Sequence, residues 1–139
     1  MDLFGPIDVP SLRGSKYAFV VVDDYTWYTW VMFLVHKNEA FDEFAKLCRK
    51  VQNEKGYFIK NIRSDNETEY VNTSFMSYCD VHGIEHNFLA PRTPQQNEVV
   101  EKKNRTLQEM ARTMLKEHSL PTYFWCEAIN THVMYKNEF

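Results

Sequence analysis

Residues 17–36, YAFVVVDDYTWYTWVMFLVH, decide the fold class of this chain. Residues 17–24 and 29–36 are rich in β-branched and aromatic side chains, which favour buried strands. The residues between the two runs fit a tight connection, so the segment predicts an antiparallel hairpin. Asp23 and Asp24 stand where the first strand ends, and we interpret them as a strand-end and turn feature.

Helical and extended patterns alternate around this hairpin. In residues 38–53 apolar side chains recur at helical spacing, with Asn38 as the expected N-cap and Gly56 as the C-terminal signal. The other predicted elements are short strands at residues 2–4, 59–64 and 84–88, and helices at 73–82, at 98–118 and from 121 onward. Strands with interleaved helices predict an α/β fold, with a mixed sheet covered on both faces.

Composition sets the class of protein. The 139 residues suit one domain, and a hydrophobic fraction of 44% suffices for a core. A net charge of -3 argues mildly against a DNA-binding protein. Three cysteines without a Cys-x-x-Cys pair make a disulfide framework improbable and favour an intracellular, reducing compartment. No apolar run is long enough to predict a membrane span.

Three acidic residues are candidates for a metal site. Phosphoryl transfer by two divalent cations needs about three carboxylates that are distant in sequence and converge in space. Asp65 follows a predicted strand, Glu101 lies in the first turn of the long helix, and 35 residues separate them; Asp2 is the third candidate. From the residues alone, the favoured interpretation of Asp65 is an ordinary turn residue, and Glu101 also fits an ordinary first-turn acid.

Longer motifs surround these acids. They are DLFGP at residues 2–6, SDN at 64–66 and PRTPQQNEVVEKKNR at 91–105. In these motifs the chain resembles the integrase catalytic core of copia-type LTR retrotransposons. Residues 17–30, 107–115 and 120–130 also resemble that family, so the likeness covers nearly the whole chain.

The resemblance implies a fold, a reaction and a set of site residues. The fold would be ribonuclease-H-like, with a mixed five-stranded sheet and helices on both faces. Asp2, Asp65 and Glu101 would be the catalytic triad and would bind two Mg²⁺ or Mn²⁺ ions; the residues implied to contact DNA are Asn97, Asn104, Arg105 and Gln108. The implied partners are DNA and a second copy of the chain in a homodimer, with no membrane and no small-molecule cofactor, and the expected location is the nucleus.

Two positions depart from the family pattern. Glu67 and Glu98 stand where the family usually has glycine, and each adds a negative charge near the expected metal site. The pair therefore predicts impaired cleavage and strand transfer. The alternative is a catalytically inactive remnant that at most binds nucleic acid or dimerises. We also expect the chain to be truncated at both ends, with a shortened first strand and marginal stability.

Two other patterns have mainly structural interpretations. Cys79, His82 and His86 have spacing similar to that of a zinc site, but a fourth ligand is not evident, and the pattern favours core positions. The tryptophans are expected in the core rather than in base stacking; they are Trp27, Trp30 and Trp125.

Overall fold

The computed structural model describes residues 1–65, 70–88 and 98–138. The strands are β1 (Asp2–Phe4), β2 (Tyr17–Val22), β3 (Thr29–Leu34), β4 (Asn61–Ser64) and β5 (Glu85–Phe88). The α-helices are α1 (Ala40–Lys55), α2 (Thr73–His82), α3 (Glu98–Glu117) and α4 (Trp125–Glu138), with 3₁₀ turns at Lys37–Glu39 and Thr122–Phe124. The chain forms two compact units, Met1–His36 with Glu98–Phe139, and Lys37–Asn97.

The first unit contains an antiparallel sheet in the order β1-β2-β3. The predicted hairpin is confirmed, with Val20 opposite Val31 in the register of β2 and β3. Asp23 shapes its turn, because its carboxylate accepts hydrogen bonds from the Tyr25 backbone N–H and the Thr26 hydroxyl, both at 2.9 Å. The turn function predicted for Asp23 is therefore confirmed.

Helices α3 and α4 pack against this sheet. Leu107 and Ala111 of α3 and Ile129 of α4 are buried in one core cluster with Val20 of β2. Trp125 begins α4, lies 4% exposed, and donates its indole N–H to the Val9 carbonyl at 2.9 Å. These contacts fix both helices on the sheet through apolar burial, which is the main source of stability for such a unit.

Two large apolar residues of this unit lie at its surface. The prediction that Trp27 lies in the core was wrong: it is 56% exposed, because it lies in the hairpin turn with a φ of 65°. Met110 of α3 is 42% exposed. At about 100° per residue, the buried arc runs through Leu107 and Ala111, and residue 110 is rotated out of it.

The second unit pairs β4 and β5 in parallel, with Ile62 opposite His86. Phe44 of α1 and Phe75 of α2 are fully buried, and their ring centroids are 5.3 Å apart. Helix α2 has the predicted bounds because local signals set them. Asn72 accepts a hydrogen bond from the Phe75 N–H at 3.0 Å, and Gly83 ends the helix with a φ of 66°.

The prediction of Asn38 as an N-cap was wrong: it lies in the 3₁₀ turn, and Glu39, which precedes α1, makes no capping bond through its side chain. Within the described ranges five strands are present, hydrogen-bonded as a three-stranded and a two-stranded sheet. One mixed five-stranded sheet therefore stays a prediction. The described helices include none that is both long and apolar enough to cross a membrane.

Candidate active site

A groove in the first unit runs along helix α3 beside strand β1. Its volume is about 290 Å³, and its lining residues are Asp2, Phe4, Glu101, Asn104, Arg105, Gln108, Glu109 and Arg112. The helical spacing explains this set, because residues three, four, seven, eight and eleven positions after Glu101 return to one face. At about 1.5 Å per residue, the α3 wall of the groove is about 16 Å long.

Asp2 and Asn104 form the floor of one end of this groove. The side-chain nitrogen of Asn104 donates a hydrogen bond to Oδ2 of Asp2. Asn104 is 4% exposed, and its Oδ1 atom is buried without a hydrogen-bond partner among the described residues. A buried amide oxygen without a hydrogen-bond donor lowers the stability of the fold. A cation or a hydrogen-bond donor would therefore bind favourably at this end of the groove.

Glu101 is exposed and contributes a second carboxylate to the same groove. Asp2, Glu101 and the Asn104 amide together present hard oxygen atoms, which are the ligands that Mg²⁺ and Mn²⁺ prefer. The donor set therefore fits a divalent cation. Across the described ranges, no group of three or more His, Cys, Asp or Glu side chains is placed to hold a metal ion.

The groove continues beyond the acids as a mixed polar wall. Arg105 and Arg112 are exposed, and Gln108 lies half-buried between them. Neither guanidinium is in an ion pair with the residues that the structure describes. Two arginines one helical heptad apart can bind an extended anionic chain. This half of the groove therefore suits phosphate groups.

The sequence-predicted residues divide between the units and the undescribed segments. Asp2, Glu101, Asn104, Arg105 and Gln108 all line the groove. Asp65 lies in the second unit, directly after β4, and is half-buried.

The remaining predicted positions are only partly described. Asn97 and Glu67 lie outside the described residues. Glu98 begins α3, but its side chain is not described.

Sequence reasoning missed three lining residues: Phe4, Glu109 and Arg112. Arg112 could have been found, since it lies seven positions after Arg105 and eleven after Glu101, which places it on the same helix face. Glu109 lies eight positions after Glu101 and carried the same spacing signal, whereas Phe4 carried none. Asn104 was expected to contact DNA, whereas its side chain is buried against Asp2.

The residues with zinc-like spacing have other contacts. Cys79 is buried, His82 stacks on Tyr78 with ring centroids 4.2 Å apart, and His86 Nε2 lies 2.7 Å from Ser64 Oγ. All three cysteines are free thiols. Burial raises the pKa of Cys48 and that of Cys126 to about 11, so neither thiol is activated as a nucleophile or metal ligand.

A comparison with protein families decides the identity. The sequence profile of the family described as "Integrase core domain" matches residues 1–94, more than half of the chain. This chain belongs to the integrase core domain family. Asp2 lies within the matched residues and Glu101 lies beyond them, and the resemblance to copia-type retrotransposon integrases is confirmed.

Curated relatives of this integrase core are Pol polyproteins of transposons. The retrovirus-related Pol polyprotein from transposon TNT 1-94 of Nicotiana tabacum is 42% identical over 130 residues, which is 94% of this chain and 10% of that protein. The polyprotein from transposon RE2 of Arabidopsis thaliana is 33% identical over 123 residues, covering 88% of the chain and 8% of the relative. The integrase core thus spans at most about a tenth of the length of these relatives.

Solved structures show the same fold. A simian T-cell lymphotropic virus intasome in complex with the PP2A regulatory subunit B56 gamma matches with a TM-score of 0.73 at 17% identity, covering 95% of this chain and 45% of that one. The HTLV-2 integrase catalytic core domain, in complex with magnesium and in a trimeric form, matches with a TM-score of 0.66 at 18% identity, covering 95% and 78%. The chain therefore has the fold of an integrase catalytic core.

Proposed function

We propose that residues 1–139 form the catalytic core of a retrotransposon integrase and carry out metal-dependent cleavage and strand transfer of DNA. The observation that supports this most is the groove in which Asp2 and Glu101 meet beside Asn104 and which continues along Arg105. The proposal includes a ribonuclease-H-like fold with one mixed five-stranded sheet. It also includes a homodimer that acts on DNA in the nucleus.

Asp2, Glu101 and Asp65 would together hold Mg²⁺ or Mn²⁺, with two ions expected. When bound, the ions would polarise the phosphodiester and lower the pKa of an attacking water or hydroxyl group. Asn104 holds the Asp2 carboxylate in place through its amide N–H, so one oxygen of Asp2 keeps a fixed direction. Holding ligands in fixed directions before substrate binds lowers the reorganisation needed during the reaction.

Arg105, Gln108 and Arg112 would bind the DNA backbone in this proposal. Their side chains line the part of the groove beyond the acids. Guanidinium groups donate paired hydrogen bonds to phosphate oxygens, and such contacts orient a duplex without reading its sequence. The arginines would also offset the repulsion between DNA and the carboxylates of the groove.

The proposed reaction balances without an energy source. In cleavage, a water oxygen forms a bond to phosphorus near a DNA 3′ end, and the bond from phosphorus to the 3′ oxygen breaks. In strand transfer, the resulting 3′ hydroxyl forms a bond to a phosphorus of target DNA, and one strand of that DNA is released at its own 3′ oxygen. Each step exchanges one phosphorus–oxygen bond for another, so neither ATP nor a covalent enzyme intermediate is needed.

The test is Mn²⁺-dependent cleavage and joining of a branched DNA substrate. Asp65→Asn and Glu101→Gln keep the side-chain shape but remove the charge, and each is expected to lower the rate by about 100-fold or more. Glu109→Gln is the matched control, because Glu109 lines the same groove on the same helix but is not part of the triad. An active wild type whose rate is matched by Asp65→Asn would refute the proposal.

The alternative, an inactive remnant, is favoured by Glu67 and Glu98 at positions that are usually glycine in the family. The double variant Glu67→Gly, Glu98→Gly distinguishes an impaired integrase from an inactive remnant. Activity that appears only in the double variant identifies an integrase impaired by these residues. A folded wild type and a folded double variant that are both inactive identify a remnant without catalysis.

A further inference from the structure

Ser64, the last residue of β4, connects two residues of the second unit. Its side chain is fully buried. Its hydroxyl donates to the backbone carbonyl of Asp65 at 3.0 Å, and its Oγ lies 2.7 Å from Nε2 of His86. The hydroxyl thus joins the end of β4 to the neighbouring strand at the position where Asp65 leaves the sheet.

The direction of the second bond depends on the tautomer of His86. A serine hydroxyl has one hydrogen, and the Asp65 carbonyl is placed to accept it. In that arrangement the Ser64 oxygen accepts from His86 in the tautomer that carries its proton on Nε2. Burial lowers the pKa of His86 below its usual value of 6.5, which favours the neutral ring with Nδ1 unprotonated.

His86 is itself held firmly in the second unit. It lies on β5, in parallel register opposite Ile62 of β4. Its ring stacks on Phe88 with centroids 4.0 Å apart and contacts Phe75 at 6.1 Å. A ring fixed by backbone pairing and by aromatic contacts is a rigid donor, which suits it to orient a neighbouring group.

We propose that His86 is a positioning residue for Asp65 and acts through Ser64. The His86 ring orients the Ser64 hydroxyl, which in turn holds the Asp65 carbonyl and so limits rotation of the Asp65 backbone. The Asp65 carboxylate is then held in one direction at the end of β4. This inference rests on the proposed function, which assigns that carboxylate to the metal site.

Four variants test whether His86 acts on Asp65 through Ser64. His86→Phe keeps an aromatic ring but removes the donor, and His86→Gln restores an N–H at the end of a side chain of similar length. Ser64→Ala removes the hydroxyl, and Ser64→Thr keeps it. If His86→Phe does not fold, the two Ser64 variants carry the test, with circular dichroism and thermal melting as the check on folding.

The first readout is the NMR signal of the Asp65 carbonyl carbon in the protein without metal. We expect it to shift in His86→Phe and in Ser64→Ala, to shift no further in the double variant, and to stay near wild type in His86→Gln and Ser64→Thr. An unchanged signal in folded His86→Phe, or an equal shift in His86→Gln, would overturn the proposal. For a His86→Phe that does not fold, an unchanged signal in Ser64→Ala would do the same.

The second readout is Mn²⁺ binding without DNA, followed by electron paramagnetic resonance. We expect the dissociation constant to rise about tenfold in His86→Phe and Ser64→Ala, the scale typical of residues that orient metal ligands. A shifted carbonyl signal with unchanged Mn²⁺ affinity would also overturn the proposal. A wild type that binds no more Mn²⁺ than Asp65→Asn would instead refute the proposed function, while the carbonyl signal still decides whether His86 positions Asp65.

Discussion

The side-chain amide of Asn104, on α3, donates a hydrogen bond to the carboxylate of Asp2, on β1. The bond joins residues 102 positions apart in sequence and lies within the candidate active site. It links the first strand to the helix that also carries Glu101. The two acids of the groove are therefore placed relative to each other by one buried side chain.

Replacing Asn104 with leucine is expected to reduce DNA joining by about tenfold, because the Asp2 carboxylate loses the donor that orients it. The free energy of unfolding should change by no more than about 1 kcal/mol, since the lost hydrogen bond is offset by removing an unsatisfied buried oxygen. Joining rates and urea unfolding measure the two effects. Thr106→Val, an exposed polar-to-apolar change on α3, is the control, and wild-type joining by Asn104→Leu would contradict the prediction.

Arg105→Gln and Arg112→Gln are each expected to weaken DNA binding and to reduce the salt dependence of binding. If each arginine contacts one phosphate, the slope of log K against log salt should fall by about 1 per substitution. Fluorescence anisotropy at several salt concentrations measures the slope. Lys116→Gln is matched in charge and lies exposed on the same helix outside the groove, so the same loss of slope there would argue against specific contacts.

Gly5, directly after β1, is expected to tolerate no side chain. A Cβ there would lie 2.5 Å from the Lys16 carbonyl oxygen and 2.8 Å from a Tyr17 ring carbon, whereas a Cβ on Gly14 has open space. Both glycines have positive φ, at 129° and 83°, so Gly14→Ala controls for backbone strain. Gly14→Ala should cost about 1 kcal/mol and Gly5→Ala about 3 kcal/mol or more in thermal or urea unfolding. Equal losses would show that the contacts at Gly5 are easily relieved.

Asn137 of α4 pairs with the backbone of β3. Its side chain accepts from the Thr29 N–H at 3.1 Å and donates to the Thr29 carbonyl at 2.8 Å, and Thr29 is 3% exposed. Asn137→Ala leaves both backbone groups without these partners, so the expected loss of unfolding free energy is about 2 kcal/mol or more. Asn130→Ala, at an exposed position of the same helix, should cost less than about 1 kcal/mol. Similar losses of unfolding free energy in Asn137→Ala and Asn130→Ala would contradict the prediction that Asn137 stabilises the fold through Thr29.

His132 of α4 should make stability depend on pH. It is 6% exposed, and burial, together with the Lys136 and Lys103 cations, lowers its pKa below the usual 6.5. Below about pH 6.5 the unfolded chain binds a proton that the folded chain excludes, so stability falls as the pH decreases through this range and is retained above it. Urea unfolding at about pH 7.5 and about pH 5.5 measures the fall. His132→Gln should reduce it, and an equal fall in both proteins would exclude His132 as its source.

Short-range sequence patterns predicted much of the fold. The hairpin of β2 and β3 follows from its β-branched and aromatic residues, and α2 is bounded by Asn72 and Gly83, which cap it through contacts with near neighbours. Helix α3 follows from its apolar periodicity. One prediction failed although the local preference was strong: Asn38 offered a capping side chain, but the chain enters α1 through a 3₁₀ turn instead.

The sequence by itself determined the family, the identity of the candidate acids and the helix face that carries Glu101, Arg105 and Gln108, because motifs and helical spacing are properties of neighbouring residues. Only the tertiary structure decided that Asn104 turns inward to Asp2 and that Ser64 joins His86 to the backbone of Asp65. Those contacts depend on which strand or helix packs beside each residue. A hydrogen bond between residues 22 or 102 positions apart is set by that packing, and no local pattern of residue types encodes it.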